Sequence, residues 1–214
     1  MHIYMIRHGE SVWNARGVWQ GQADPELSET GIEQARHVSE RLAEVAFDRV
    51  IASDLTRAVQ TAEFISAGHD LEVEQRPGFR ECDVGGWAGH TSSEIAERFP
   101  DQWQAYQAGQ DPRRGGGESL TEMQTRVEAA FHELVDSAEA HGWETLCLVS
   151  HGGVVRELAL LALDLHESVG HRRPLAAPTN TAVSEMTVGT RGRRLLRYND
   201  DGHLSAVGDT ALDA

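Results

Sequence analysis

An arginine and a histidine stand side by side at Arg7 and His8, where an apolar run from Ile3 to Ile6 gives way to Gly9, Ser11 and Asn14. An imidazole that is unprotonated near neutral pH can attack phosphorus, and a guanidinium fork fits phosphoryl oxygens in bidentate fashion. Further groups of the same kind follow later in the chain: Arg57, and then His151 in Ser150-His151-Gly152-Gly153. Each sits near a point where a strand pattern yields to a loop or helix. In an open parallel sheet these junctions share the carboxyl edge, where ligands bind. A helix starting near Gly152 directs its unpaired N–H groups to the same place, so the set reads as an anion site. A leaving oxygen needs a proton, which a partly buried carboxyl group can supply, and Glu81 is the candidate.

The elements that must position these groups follow from apolar periodicity. Residues 3–6 form a short buried strand. Thr30-Gly31 opens a helix with Ile32, Ala35, Val38, Leu42 and Val45 on one face. Residues 47–52 form a second strand, and Ser53-Asp54 caps a helix that Gly68 closes. Residues 71–75 are a weaker third strand, followed by a loop through Glu81 to residue 89. An excursion over about 90–117 holds two short helices, 92–99 and 102–108, and a Gly-rich loop. Residues 118–141 form the longest helix, 145–149 a strand, and 154–165 a helix. Residues 182–188 and 193–198 pair as a hairpin, and the chain is loose after Gly202. Strands alternating with helices predict one domain over 1–214, an α/β fold with a mostly parallel central sheet covered on both faces.

Composition narrows the partners. The formal charge of −15 opposes nucleic-acid binding, which depends on basic surface, so an anionic ligand must be small and held locally. All 19 basic residues other than histidine are arginine, so no lysine is present to form a Schiff base or a P-loop contact. Cys82 and Cys147 are far apart in sequence, which fits a reducing compartment and two buried thiols. No apolar stretch is long enough to span a bilayer, so the expectation is a cytoplasmic protein without a membrane partner, monomeric or homodimeric through its tail hairpin.

The chain resembles the histidine phosphatase superfamily, which shares its fold with cofactor-dependent phosphoglycerate mutases. The resemblance rests on RHGESVWN at 7–14, QGQAD at 20–24, LSETGIEQA at 27–35, SDLTRAVQTA at 53–62, FRECDVGGWAG at 79–89, GGGES at 115–119 and LVSHGGVVR at 148–156. It implies a three-layer α/β/α sandwich, phosphoglycerate mutase-like, acting on a small phosphorylated metabolite without a cofactor. His8 would be phosphorylated; Arg7, Arg57 and His151 would hold the transferred group; Glu81 would give and then take a proton. Asn14 and the Gly152 N–H would add phosphate contacts, and Gln20 and Gly21 would line the substrate side. Asp24-Pro25-Glu26-Leu27 permutes the family's Asp-x-Pro-Leu order, and Cys82 follows Glu81 where many relatives differ.

The leading expectation is a phosphomonoester hydrolase working through phosphohistidine, with a phosphoglycerate mutase as the alternative. The mutases of this family carry a longer insertion between the counterparts of Glu81 and His151. Here the only readers of a substrate acid are Trp103, Tyr106, Arg113 and Arg114, the two arginines being the stronger candidates. A metal at His8 and His151 is the competing chemistry, but no carboxylate or cysteine stands at familiar ligand spacing. Residues 85–89 lack the strand-glycine-helix order of a dinucleotide loop. A binding protein that has lost catalysis would not need the full set of Arg7, His8, Arg57, Glu81 and His151. His37, His69, His90, His132, His141 and His203 lie in polar contexts and read as surface residues, and His171-Arg172-Arg173 reads as a solvated basic loop in preference to a pocket cap.

Overall fold

The computed structural model describes residues 1–165 and 174–204. One sheet contains β1 (His2–Arg7), β2 (Arg49–Ala52), β3 (Val73–Gln75), β4 (Thr145–Ser150), β5 (Val183–Gly189) and β6 (Gly192–Asp200), in the order β3-β2-β4-β1-β5-β6. The first four are parallel; β5 and β6 return antiparallel as the expected hairpin. The register sets Arg7 opposite Ser150 and Ala52 opposite Val149. The chain therefore leaves β1, β2 and β4 at one edge of the sheet, carrying His8, Ser53 and His151 to a common place.

Successive strand side chains divide between two cores. Ile3, Met5, Leu146 and Leu148 pack with Phe131 and Leu134 of α5 (Leu120–His141) and Leu158 of α6 (Gly152–Ala162). Ile6, Val50, Cys147 and Val149 pack with Val38 of α1 (Glu29–Leu42) and with Ala62 and Ile65 of α2 (Thr56–Ala67). Because both faces are covered, these strands are continuous apolar runs, and the three layers are those expected. A third cluster, Val84, Trp87 and Ile95 with Trp19, Trp103 and Tyr106, joins the excursion helices α3 (Ser92–Arg98) and α4 (Pro100–Gln107) to the loops beside the site.

Two local expectations need correction. Ser53 and Asp54 do not cap α2: its N-cap is Leu55, and the carboxylate of Asp24 reaches across to accept from Thr56 N at 2.6 Å and Thr56 Oγ1 at 2.7 Å. Ser53 is taken up by His151, and Asp54 by Arg80. His203 is not a surface residue. It is half-buried between Arg41 and Thr181, each 3.2 Å from a ring nitrogen, and burial with the Arg41 charge lowers its pKa to about 4. His69 is also half-buried, its ring 5.0 Å from that of Phe47. The His171-Arg172-Arg173 cluster and the stretch after Leu204 lie outside the described residues.

Candidate active site

His8 follows β1 directly and is buried. Its Nδ1 lies 2.6 Å from the carbonyl oxygen of Gly9, and its Nε2 lies 3.2 Å from Arg57 Nε. A carbonyl only accepts and a guanidinium only donates, so Nδ1 carries the proton and Nε2 presents a lone pair. Burial, then the charges of Arg57 and Arg7, holds the imidazole well below its ordinary pKa, against the opposing pull of the Gly9 carbonyl. The ring is thus a neutral nucleophile flanked by two cations. The Gly9 N–H donates to Thr61 Oγ1 at 3.0 Å, while Thr61 donates to the Arg57 carbonyl at 2.8 Å, tying the loop after β1 to α2.

Arg57 is held on its other edge by carbonyls: Nη1 donates to Ala23 and Nη2 to Gly21, each at 2.8 Å. Burial lowers its pKa to about 10, which leaves it charged at neutral pH. Gly21 has φ +53, and a Cβ there would stand 2.6 Å from Val84 Cγ2 and 2.8 Å from the Cys82 carbonyl oxygen. Only glycine can bring that carbonyl to Arg57. Arg7 is anchored by donation to the Pro178 carbonyl at 2.7 Å.

His151 is fully buried, its ring centroid 5.1 Å from that of His8. Its Nε2 lies 2.8 Å from Ser53 Oγ, and its buried Nδ1 has no hydrogen-bond partner among the described residues. Burial first, then Arg57, His8 and Arg7, holds its pKa well below the ordinary value. Glu81 approaches from the loop after β3. One carboxylate oxygen accepts from Cys82 N at 2.8 Å and the other from Gly153 N at 3.0 Å, in the first turn of α6. A Cβ on Gly153 would come 2.3 Å from Glu81 Oε1, so glycine is what permits this close approach. The helix start thus serves the carboxylate at Gly153 and leaves Gly152 beside Arg7, its would-be Cβ 3.5 Å from Arg7 Cδ.

These side chains open on a cleft of about 690 Å³, lined by Arg7, His8, Arg57, Glu81 and Gly152, with the loop residues Asn14, Gln20 and Gly21 completing its rim. That volume suits a small organic ligand. Ser11 orients the rim by donating to Gln20 Oε1 at 2.6 Å and, through its N–H, to Asn14 Oδ1 at 3.1 Å. His151 lies buried at the base of the site, its ring against that of His8. Arg114 and Tyr106 are on the wall, but Arg113 is not: it is exposed and pairs with Glu122 of the α5 capping box. Trp103 is likewise spent on the aromatic cluster.

Several residues of the site escaped the sequence reading. Arg126 of α5 donates to the carbonyls of Gly78 and Arg80 at 2.9 Å and of Glu81 at 3.2 Å, while Glu118 grips its guanidinium. It is the brace of the Glu81 loop. Asn180 donates to the His8 carbonyl at 2.9 Å, and the Thr181 N–H to the Arg7 carbonyl at 2.9 Å. Asn180 has no local signal, since its partner lies 172 residues away. Thr61 differs, because it lies four residues beyond Arg57 on α2 and helical spacing marks the face they share.

The model of the histidine phosphatase superfamily, branch 1, matches residues 3–201. The chain belongs to that superfamily. It is 37% identical over 160 residues to phosphoglycerate mutase-like protein 4 of Arabidopsis thaliana, covering 73% of this chain and 68% of that one. It is 33% identical over 210 residues to the metal-independent phosphoserine phosphatase of the same plant, covering 96% and 84%. Among solved structures, the mycobacterial glucosyl-3-phosphoglycerate phosphatase complexed with VO3 superposes with a TM-score of 0.82 at 29% identity, covering 94% of this chain and 99% of that one.

Proposed function

We propose that this histidine phosphatase hydrolyses a small phosphorylated metabolite in two steps through a phosphohistidine on Nε2 of His8. The observation that carries this reading is the tautomer: the Gly9 carbonyl fixes the proton on Nδ1, so the lone pair of Nε2 faces Arg57 at the inner end of the cleft. In the first step the N–P bond forms as the ester O–P bond breaks, and Glu81 protonates the departing oxygen. Arg7, Arg57 and the Gly152 N–H neutralise the phosphoryl oxygens. The buried Nδ1 of His151 supplies a further donor when Ser53 donates its hydroxyl hydrogen to Nε2. In the second step Glu81 takes a proton from water, which attacks phosphorus, releasing phosphate and restoring the imidazole.

Hydrolysis is favoured over transfer to a second phosphoglycerate by what the excursion offers. Of its four candidate readers, only Tyr106 and Arg114 line the cleft. The names of two relatives, the phosphoserine phosphatase and the glucosyl-3-phosphoglycerate phosphatase, support the same reaction type. Cys82 and Cys147 are free and buried, which fits a reducing, cytoplasmic setting. No helix among the described residues is long and apolar enough to cross a membrane. The test is a panel of phosphorylated metabolites assayed for phosphate release, with 3-phosphoglycerate plus 2,3-bisphosphoglycerate assayed in parallel for isomerisation. Phosphate release should dominate; rapid isomerisation with little phosphate released would make the enzyme a mutase.

A further inference from the structure

Residues 27–35 carry part of the family resemblance, yet the two-step reaction leaves Gln34 without a task. Gln34 of α1 is fully buried, and its Nε2 has no hydrogen-bond partner among the described residues. A buried amide satisfied on one side alone is destabilising, and the satisfied side shows what it serves. Its Oε1 accepts from the Glu10 N–H at 2.8 Å. A backbone N–H only donates, so the amide oxygen has to face it. The start of α1 holds the rest of Glu10: Ser28 N donates to its carbonyl at 2.8 Å, and Ser28 Oγ donates to its carboxylate at 2.6 Å. A Cβ on Gly31 would stand 1.9 Å from the Glu10 carbonyl oxygen, so glycine there lets the helix come this close.

The Glu10 N–H and the Gly9 carbonyl belong to one rigid peptide plane. That carbonyl is the acceptor 2.6 Å from Nδ1 of His8. Gly9 has no side chain to limit rotation of this plane, so its orientation depends on what holds each end. Gln34 holds one end and the His8 ring the other. The preceding peptide is fixed separately, by Thr61 Oγ1 on the Gly9 N–H and by Asn180 on the His8 carbonyl. Both steps of the proposed reaction pass through a ring protonated on Nδ1: it gains positive charge as Nε2 bonds to phosphorus, and it departs as a neutral imidazole when the N–P bond breaks. A carbonyl dipole aimed at Nδ1–H stabilises that charge where it develops.

Building on the hydrolase reading above, we propose that Gln34 is a positioning residue for the nucleophile: by holding the Gly9–Glu10 peptide it aims the Gly9 carbonyl at Nδ1 of His8 and keeps the ring's proton there. The test reads the His8 ring by 15N and 1H NMR, and p-nitrophenyl phosphate hydrolysis by steady-state kinetics, in the same variants. In Gln34→Met, which keeps the bulk and removes the acceptor, the His8 Nδ1–H resonance should shift and kcat should fall by about threefold to tenfold, the scale of one neutral hydrogen bond. KM should change little, because Gln34 acts on the Glu10 backbone. Gln34→Asn, whose shorter side chain withdraws the oxygen, should do the same and covers the case of a Gln34→Met chain that does not fold. Val38→Ala, a cavity one turn further along α1, should lower Tm while leaving the Nδ1–H resonance and kcat as in wild type. Hydrolysis by the wild type, with an unmoved Nδ1–H resonance or an unchanged kcat in a folded Gln34 variant, overturns the positioning role and leaves the hydrolase reading standing. The same two changes in Val38→Ala also overturn it, since the effect is then a general loosening of α1. Absence of phosphate release by the wild type from p-nitrophenyl phosphate and from every ester of the panel overturns the hydrolase reading and, with it, the part of Gln34 in the reaction.

Discussion

At the scale of the residue, the reactivity of His8 comes from where its proton is kept. Burial strips water from an imidazolium, and Arg57 and Arg7 repel it, so all three act against protonation. The same causes act on His151. Both rings should therefore stay neutral in the folded, ligand-free enzyme well below pH 6.5. An NMR titration of imidazole nitrogens checks this directly; either ring titrating at about 6.5 or above would contradict it. The sign for stability follows. Below about pH 6.5 the unfolded chain binds protons that the native rings refuse, so stability should decline as pH falls through that window towards the lowered native values. His203, with a native pKa of about 4, adds to the decline between those limits.

At the scale of the element, the first turn of α6 is the part on which the acid–base step depends. Gly152 and Gly153 are poor helix formers, and the apolar pattern alone placed the helix start at residue 154; the structure starts it at Gly152. The reason is the site: Gly153 N holds the Glu81 carboxylate, and no side chain fits between them. Gly153→Ala should displace Glu81 and lower kcat by about tenfold to a hundredfold, the lower range of a lost acid–base contribution, with a far-UV circular dichroism spectrum like that of wild type. A variant with wild-type kcat would show that Glu81 does not need this anchor. The cap of α2 was hidden for a different reason, since Asp24 lies 32 residues from the helix it caps and local capping rules look only to Ser53 and Asp54.

At the scale of the whole molecule, the legible part was what repeats along the chain or sits at a strand end. Apolar runs such as Ile3–Ile6 and Leu146–Val149 marked the central strands, and the junctions after them marked Arg7, His8, Arg57 and His151. What was not legible depends on folding over long separations: Asn180 under His8, Arg126 beneath Glu81, and the sorting of Arg114 into the cleft while Arg113 pairs with Glu122. The overall charge of −15 coexists with a cleft that, among the described residues, is lined by four arginines and one carboxylate, which favours a small anion held locally. Rapid quench of the enzyme with 32P-labelled substrate tests whether these distant segments converge to make Nε2 of His8 a phosphoryl acceptor. The expected result is an acid-labile, alkali-stable adduct on Nε2 of His8 that is absent from His8→Ala; a label on another residue, an alkali-labile adduct, or turnover by His8→Ala at the wild-type rate would contradict a phosphohistidine there.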